Sequence, residues 1–169
     1  MRGTLDGRTT TVGDADGIRD TVDGFLAFFR HASAAPDEDL LTLLDYLDQL
    51  SIHGRHVSYE FEDGHAEPPR LDGTEALRSA AERFPGLAPY NIPDPVEGSP
   101  GSATILVADP YDDIADLRSD LEEVAWCFRN TSENDALWRF QFGYQYHWGD
   151  HLSNLRWYLM RHLAGWDAV

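Results

Sequence analysis

From Thr131 to Leu163 the chain reads as helix almost without interruption, and that length constrains everything packed around it. A straight helix of this extent would reach about 50 Å at 1.5 Å per residue, longer than a compact domain of 169 residues is wide. The segment must therefore bend, and Gly143 and Gly149 are the residues placed to allow it. Its densest part, Trp138 to His151, runs W-R-F-Q-F-G-Y-Q-Y-H-W-G-D-H. Projected at about 100 degrees per residue, Phe140, Tyr144, His147, His151, Asn154 and Tyr158 share one stripe, while Trp138, Trp148 and Trp157 point elsewhere. Aromatics on several sides predict an element at the centre of the fold.

Other segments carry the same period. Asp14 or Asp16 can cap a helix that aligns Ile18, Val22, Phe25, Leu26 and Phe29. A second, from Asp37, carries Leu40, Leu43, Leu44, Leu47 and Leu50, with Gly54 as its expected stop. A third runs from Thr74 to Phe84, ahead of Pro85. Asp109 caps a fourth with Pro110 at its first position, and Ile114, Leu117, Leu121, Val124 and Phe128 form its buried stripe. Between these, Val57 to Phe61 and Thr104 to Val107 are short strand candidates. Pro and Gly make 64–73 and 86–108 loops, the second a candidate lid. The expectation is all-α: one helical bundle of about four or five main helices over residues 14–169, with minor strand or irregular segments, behind a flexible N-terminal tail over residues 1–13.

Thirty acids face 13 bases, all arginine, for a net charge of -17. Such a charge argues against a phosphate backbone or an anionic membrane surface as partner, since both need basic groups, and leaves basic proteins or peptides open. A single cysteine, Cys127, forms no internal disulfide, and no apolar run approaches the length of a membrane span, so a cytoplasmic protein is expected.

Two clusters carry chemistry. Asp112, Asp113, Asp116 and Asp120 fall together on one side of the fourth helix. The first three match the D-D-x-x-D pattern that holds magnesium diphosphate in helical prenyl-transferring enzymes, but this chain is too short for their cavity, has no second acidic motif and has no lysine. A solvated acidic face, a metal site and a surface for a cationic partner remain. His147 and His151, four apart, can converge on one ion from successive turns, with Asp150, Asp113 or Asp116 as further candidate ligands of a divalent metal ion. The alternatives are a pair of histidines at the core edge, hydrogen-bonded to carboxylates of the preceding helix or to tyrosines, and a catalytic or ligand-orienting histidine without metal.

From Tyr90 to about Leu159 the order Tyr90, Asp94-Pro95, Asp112-Asp113-Ile114-Ala115-Asp116, Asp120-Leu121, Ala136-Leu137-Trp138, Phe140 and His147-Trp148-Gly149-x-His151 resembles an uncharacterised bacterial family, domain of unknown function 5063. The resemblance implies a small, mainly helical, cytoplasmic bacterial protein in which the acidic and histidine blocks form one spatial unit. It supplies no established activity. Arg118, where the family pattern leads us to expect an aromatic, and the Gly-rich loop before Asp109 depart from it.

Three function classes follow. The leading one is an acidic accessory or regulatory protein, without catalysis, that binds a protein or peptide through Asp112, Asp113, Asp116, Asp120, Phe140, Tyr144, Trp148 and Tyr158. No Gly-rich phosphate loop, paired C-x-x-C or G-x-S-x-G elbow argues for an enzyme. The second is a metal-dependent enzyme or metal-binding bundle using His147 and His151 with acidic residues. The third is a small-ligand binder whose aromatic pocket uses Phe140, Tyr144 and Tyr158 under the 86–108 loop.

Overall fold

The computed structural model describes residues 4–5, 8–9, 13–30, 35–69, 72–94, 96, 99 and 101–165. Helices dominate because most apolar positions recur every three or four residues. α1 (Ala15–Phe28) starts where the Asp14 carboxylate accepts from the Gly17 N–H at 2.7 Å, and it buries Ile18, Val22, Phe25 and Leu26. α2 (Pro36–His56) opens on proline and buries Leu40, Leu43, Leu47 and Leu50. Gly54 does not end α2. It lies inside the helix, where an added Cβ would sit 2.5 Å from the Tyr144 ring, so it serves close approach and not termination. α3 (Gly73–Arg83) is capped by Asp72.

α4 (Pro110–Asn130) begins as its sequence predicts, with Asp109 accepting from the Tyr111 N–H and Pro110 at the first position. It packs on α1, α3, and the two helices that follow it, α5 (Glu133–Tyr146) and α6 (Trp148–Leu163). The hub of the fold is therefore α4, not the aromatic C-terminal region. Arg118, on α4, reaches α3 by donating to the Ala76 carbonyl and the Ser79 hydroxyl while its guanidinium lies over Phe29. Where a family aromatic was expected, a cation spans the same interface.

Strands are minor. β1 (Thr4–Leu5) pairs with β2 (Arg8–Thr9); the rest of the segment read as a tail lies outside the described residues, apart from Gly13. β3 (Tyr90–Asp94) and β4 (Thr104–Ala108) form an antiparallel ribbon with Tyr90 opposite Ala108. β4 fulfils the strand expected there, and its partner β3 replaces the loop expected at its position. Val57 to Phe61 is not a strand, and among the described residues no second strand runs beside it. That segment instead lies along α5, where Phe61 meets Trp138 edge-on and Glu62 accepts from Ser132 and Asn134. Among the described residues, no helix is long and apolar enough to cross a membrane.

Candidate metal centre

The long C-terminal helix breaks at His147, between the two glycines thought to bend it. With φ -147° and ψ -90°, His147 closes α5 by donating its N–H to the Gly143 carbonyl at 2.9 Å, and it opens α6. A Cβ on Gly149 would lie 1.9 Å from the Tyr144 carbonyl oxygen, and one on Gly143 would lie 2.5 Å from the Trp148 indole nitrogen. Both glycines are therefore required by the turn. Trp148, fully buried and edge-on to Phe140 and Tyr144, pins it to the core.

This turn brings His147 and His151 against the acidic side of α4, as two facing helices would. His147 Nδ1 lies 2.7 Å from Asp120 Oδ2, and His151 Nδ1 lies 2.7 Å from Asp113 Oδ1. An ionised carboxylate only accepts, so each Nδ1 carries the proton and donates it. The remaining nitrogen of His151, Nε2, faces Asp116 Oδ2 at 3.4 Å. One ligand atom from each of Asp116, His147 and His151 lies within 4.8 Å of the others. Four tetrahedral ligands at about 2.1 Å from a metal ion stand about 3.4 Å apart, the separation already present between His151 and Asp116.

Asp113 is the fixed point. It is 4% exposed, and its second oxygen accepts the Tyr90 hydroxyl at 2.5 Å. Tyr90 comes from β3 and stacks on Tyr158 of α6 with ring centroids 4.5 Å apart. Burial, and then the hydrogen bond to Asp113, push the Tyr90 phenol far above its usual range, which keeps it a donor. The Asp113 hydrogen bond raises the His151 pKa against the opposing effect of burial, with the Asp113, Asp116 and Asp112 charges adding to it. Burial raises Asp120, opposed by its hydrogen bond to His147. Asp112, more exposed, is raised by partial burial and by Asp116 and Asp113.

Several candidates fall elsewhere. Asp150 is exposed in the first turn of α6, outside the converging group, where its charge complements the helix dipole. Phe140 and Trp148 are fully buried, so neither can form a partner surface or pocket wall. Tyr144 is half-buried against Trp148 and Gly54, with its hydroxyl 3.5 Å from Ser51. Tyr158 is buried under Tyr90, and its hydroxyl accepts the Ala88 N–H. Asp113 accepts from His151 Nδ1, and Asp116 is the carboxylate that joins His147 and His151 in the converging group. Tyr90 was missed as a site residue because its partner is 23 positions away, across a strand that the Pro and Gly density concealed.

The family model described as a domain of unknown function (DUF5063) matches residues 94–165. That span holds Asp113, Asp116, Asp120, His147 and His151 and stops short of Tyr90. The fold resembles the crystal structure of protein BF1032 from Bacteroides fragilis, with a TM-score of 0.68 over 86% of this chain and 89% of that one. At 18% identity, the likeness is one of fold alone. No curated protein matches the chain.

Proposed function

We propose that this is a metal-dependent cytoplasmic protein that holds one divalent first-row transition ion between Asp116, His147 and His151. The observation that carries the reading is the double support: a carboxylate of α4 accepts a hydrogen bond from the Nδ1–H of each histidine, which fixes the tautomer and leaves Nε2 as the available ligand atom. Two imidazoles and one carboxylate suit zinc, iron or manganese better than calcium or magnesium, which prefer all-oxygen sites. Three protein ligands leave a position for water, and a bound ion would lower that water's pKa and supply a hydroxide near neutral pH.

The test is elemental analysis of protein purified without chelator, beside a His147→Ala, His151→Ala variant matched for helicity. About one equivalent of metal, absent from the variant, is expected. A folded wild type that takes up no zinc, iron or manganese on equilibrium dialysis would overturn the reading.

Partner binding has its own support, in residues other than the acidic stripe. Phe61, Trp138, Phe142 and Tyr146 follow one another in contact at centroid separations of 5.6, 5.2 and 5.0 Å, edge-on, stacked and tilted in turn. Phe61 is 62% exposed and Tyr146 73%. Exposed aromatic ladders of this kind are features of protein interfaces. Loss of a partner on Phe142→Ser, with retention on Asp112→Asn, would assign recognition to the ladder. The reverse pattern would return it to the acids.

A further inference from the structure

The edge-on contact of Phe61 with Trp138 has a structural use, since it helps to hold residues 57–67 along α5. Phe142 and Tyr146 extend the row two further turns along the helix, past that contact, and both face solvent. Helical spacing sets Asn134, Gln141 and Gln145 beside the rings, so the flanks are uncharged amides. Arg139, the one cation of α5, is committed to Glu67 and Glu123. Negative charge gathers at the Phe61 end, where Glu60, Glu62 and Asp63 flank the ring in sequence and are all exposed. Glu62 accepts from the Ser132 hydroxyl at 2.6 Å and the Asn134 amide at 3.1 Å, which sets its charge about one turn before Trp138. Those bonds, Ser132 first, together with His65 hold its pKa at about 2, so it is ionised at neutral pH. Glu60 and Asp63 are held by no hydrogen bond or ion pair among the described residues, so their carboxylates are open to a ligand.

We propose that the ladder docks a cationic, arginine-bearing segment of another protein, with guanidinium groups lying on the rings and pairing with Glu60 and Asp63. It rests on the ladder serving as the docking face. An aromatic face carries the negative part of the ring quadrupole and attracts a cation, a guanidinium more often than an ammonium. The guanidinium is planar and weakly hydrated, so it stacks on a ring while its N–H edge meets a carboxylate; lysine, a hydrated point charge, gains less. Charge also decides against the other occupants a row of rings could take. Bases would stack on it, but the carboxylates beside it and the net charge of -17 repel a phosphate backbone. A second copy of the chain brings the same charge and is repelled in the same way. None of the carboxylates invoked belongs to the metal centre, so the proposal does not depend on a metal ion.

The probe is an acetylated octapeptide of alternating leucine and arginine, with a counterpart in which citrulline, of the same shape but uncharged, replaces every arginine. Binding to the full chain is followed by the indole N–H resonances of the five tryptophans, with Trp138→Phe assigning its own signal. The expected result is a saturable shift of the Trp138 resonance by the arginine peptide, about tenfold weaker with the citrulline peptide. Phe142→Ser is expected to weaken it about tenfold, and the exposed pair Glu60→Gln, Asp63→Asn about fivefold, as two surface ion pairs warrant. A Trp138 resonance that no peptide moves would overturn the proposal. Equal binding of the citrulline peptide, or indifference to the carboxylate pair, would also overturn it and would leave the ladder as a docking face for an uncharged partner. Binding that survives Phe142→Ser would take the ladder down with it. Self-association of the wild type that Phe142→Ser abolishes in sedimentation would give the face to a second copy and overturn the proposal as well.

Discussion

His53 and His151 are both held by a hydrogen bond to a neighbouring helix, with Thr21 and Asp113 respectively, yet the two sites drive the imidazole in opposite directions. At His53, on α2, Nδ1 accepts the Gly13 N–H at 3.2 Å, so the proton sits on Nε2 and is donated to the Thr21 hydroxyl at 3.1 Å. Burial lowers its pKa, against a weaker opposing pull from Asp14, and the ring stays neutral. At His151 the partners are carboxylates, the pKa rises, and Nε2 is left facing Asp116 beyond ordinary hydrogen-bond reach. A histidine whose two nitrogens both end on fixed protein groups is a structural clasp. One held by a buried carboxylate at Nδ1, with its other nitrogen turned toward further ligand types, is a group kept ready for something else.

The largest way to break this comparison is to remove its fixed point. Asp113→Ala leaves the Tyr90 hydroxyl and a half-buried imidazole without their shared acceptor, and such losses cost about 3 kcal/mol. Urea unfolding of metal-free protein measures it. The same variant should weaken metal uptake about 10- to 100-fold, the usual effect of releasing an orienting carboxylate. A change in stability below about 0.5 kcal/mol would mean that Asp113 organises neither side chain, and the contrast with His53 would fail.

The asymmetry between the two sites also explains what could be read from the sequence. The acids and the His147, His151 pair were legible because helical spacing alone places each set on one face, and the caps at Asp14 and Asp109 fixed where two of the helices start. That they oppose one another follows from α4 and the C-terminal helices being neighbours. What periodicity could not show is the break at His147. A projection through Phe140, Tyr144, His147 and Tyr158 assumed one axis, whereas α5 and α6 have two, so Phe140 turned inward while His151 turned toward α4. Tyr90 and His53 escaped for another reason. Their partners lie 23 and 40 residues away, across contacts that no local pattern encodes.

The pH dependence of metal-free protein sharpens the comparison. His151 has a folded pKa above its unfolded value of about 6.5, so the stability it contributes is fully present below that pH. It is lost as the pH rises through the folded value. His53 has a folded pKa below 6.5, so its contribution is present above that pH and is lost as the pH falls through its folded value. His151→Gln should therefore flatten the stability profile above about pH 6.5, and His53→Gln the profile below it. Proton resonances of the two rings provide the direct check. Midpoints in the same order in the folded and unfolded protein would remove the distinction.

The smallest expected effect lies on the clasp itself. Thr21→Val keeps the shape of the side chain and removes the hydroxyl that accepts from His53 Nε2, leaving a buried donor unpaired at about 1 kcal/mol. Metal uptake should not change, because His53 and Thr21 share no partner with His147, His151 or Asp116. For the same reason, the losses in a Thr21→Val, Asp113→Ala double variant should add to within about 0.5 kcal/mol. A coupling larger than that would show that α1 and α2 report to the acidic face of α4. The two histidines would then belong to one network, with the neutral clasp setting the position of the charged one.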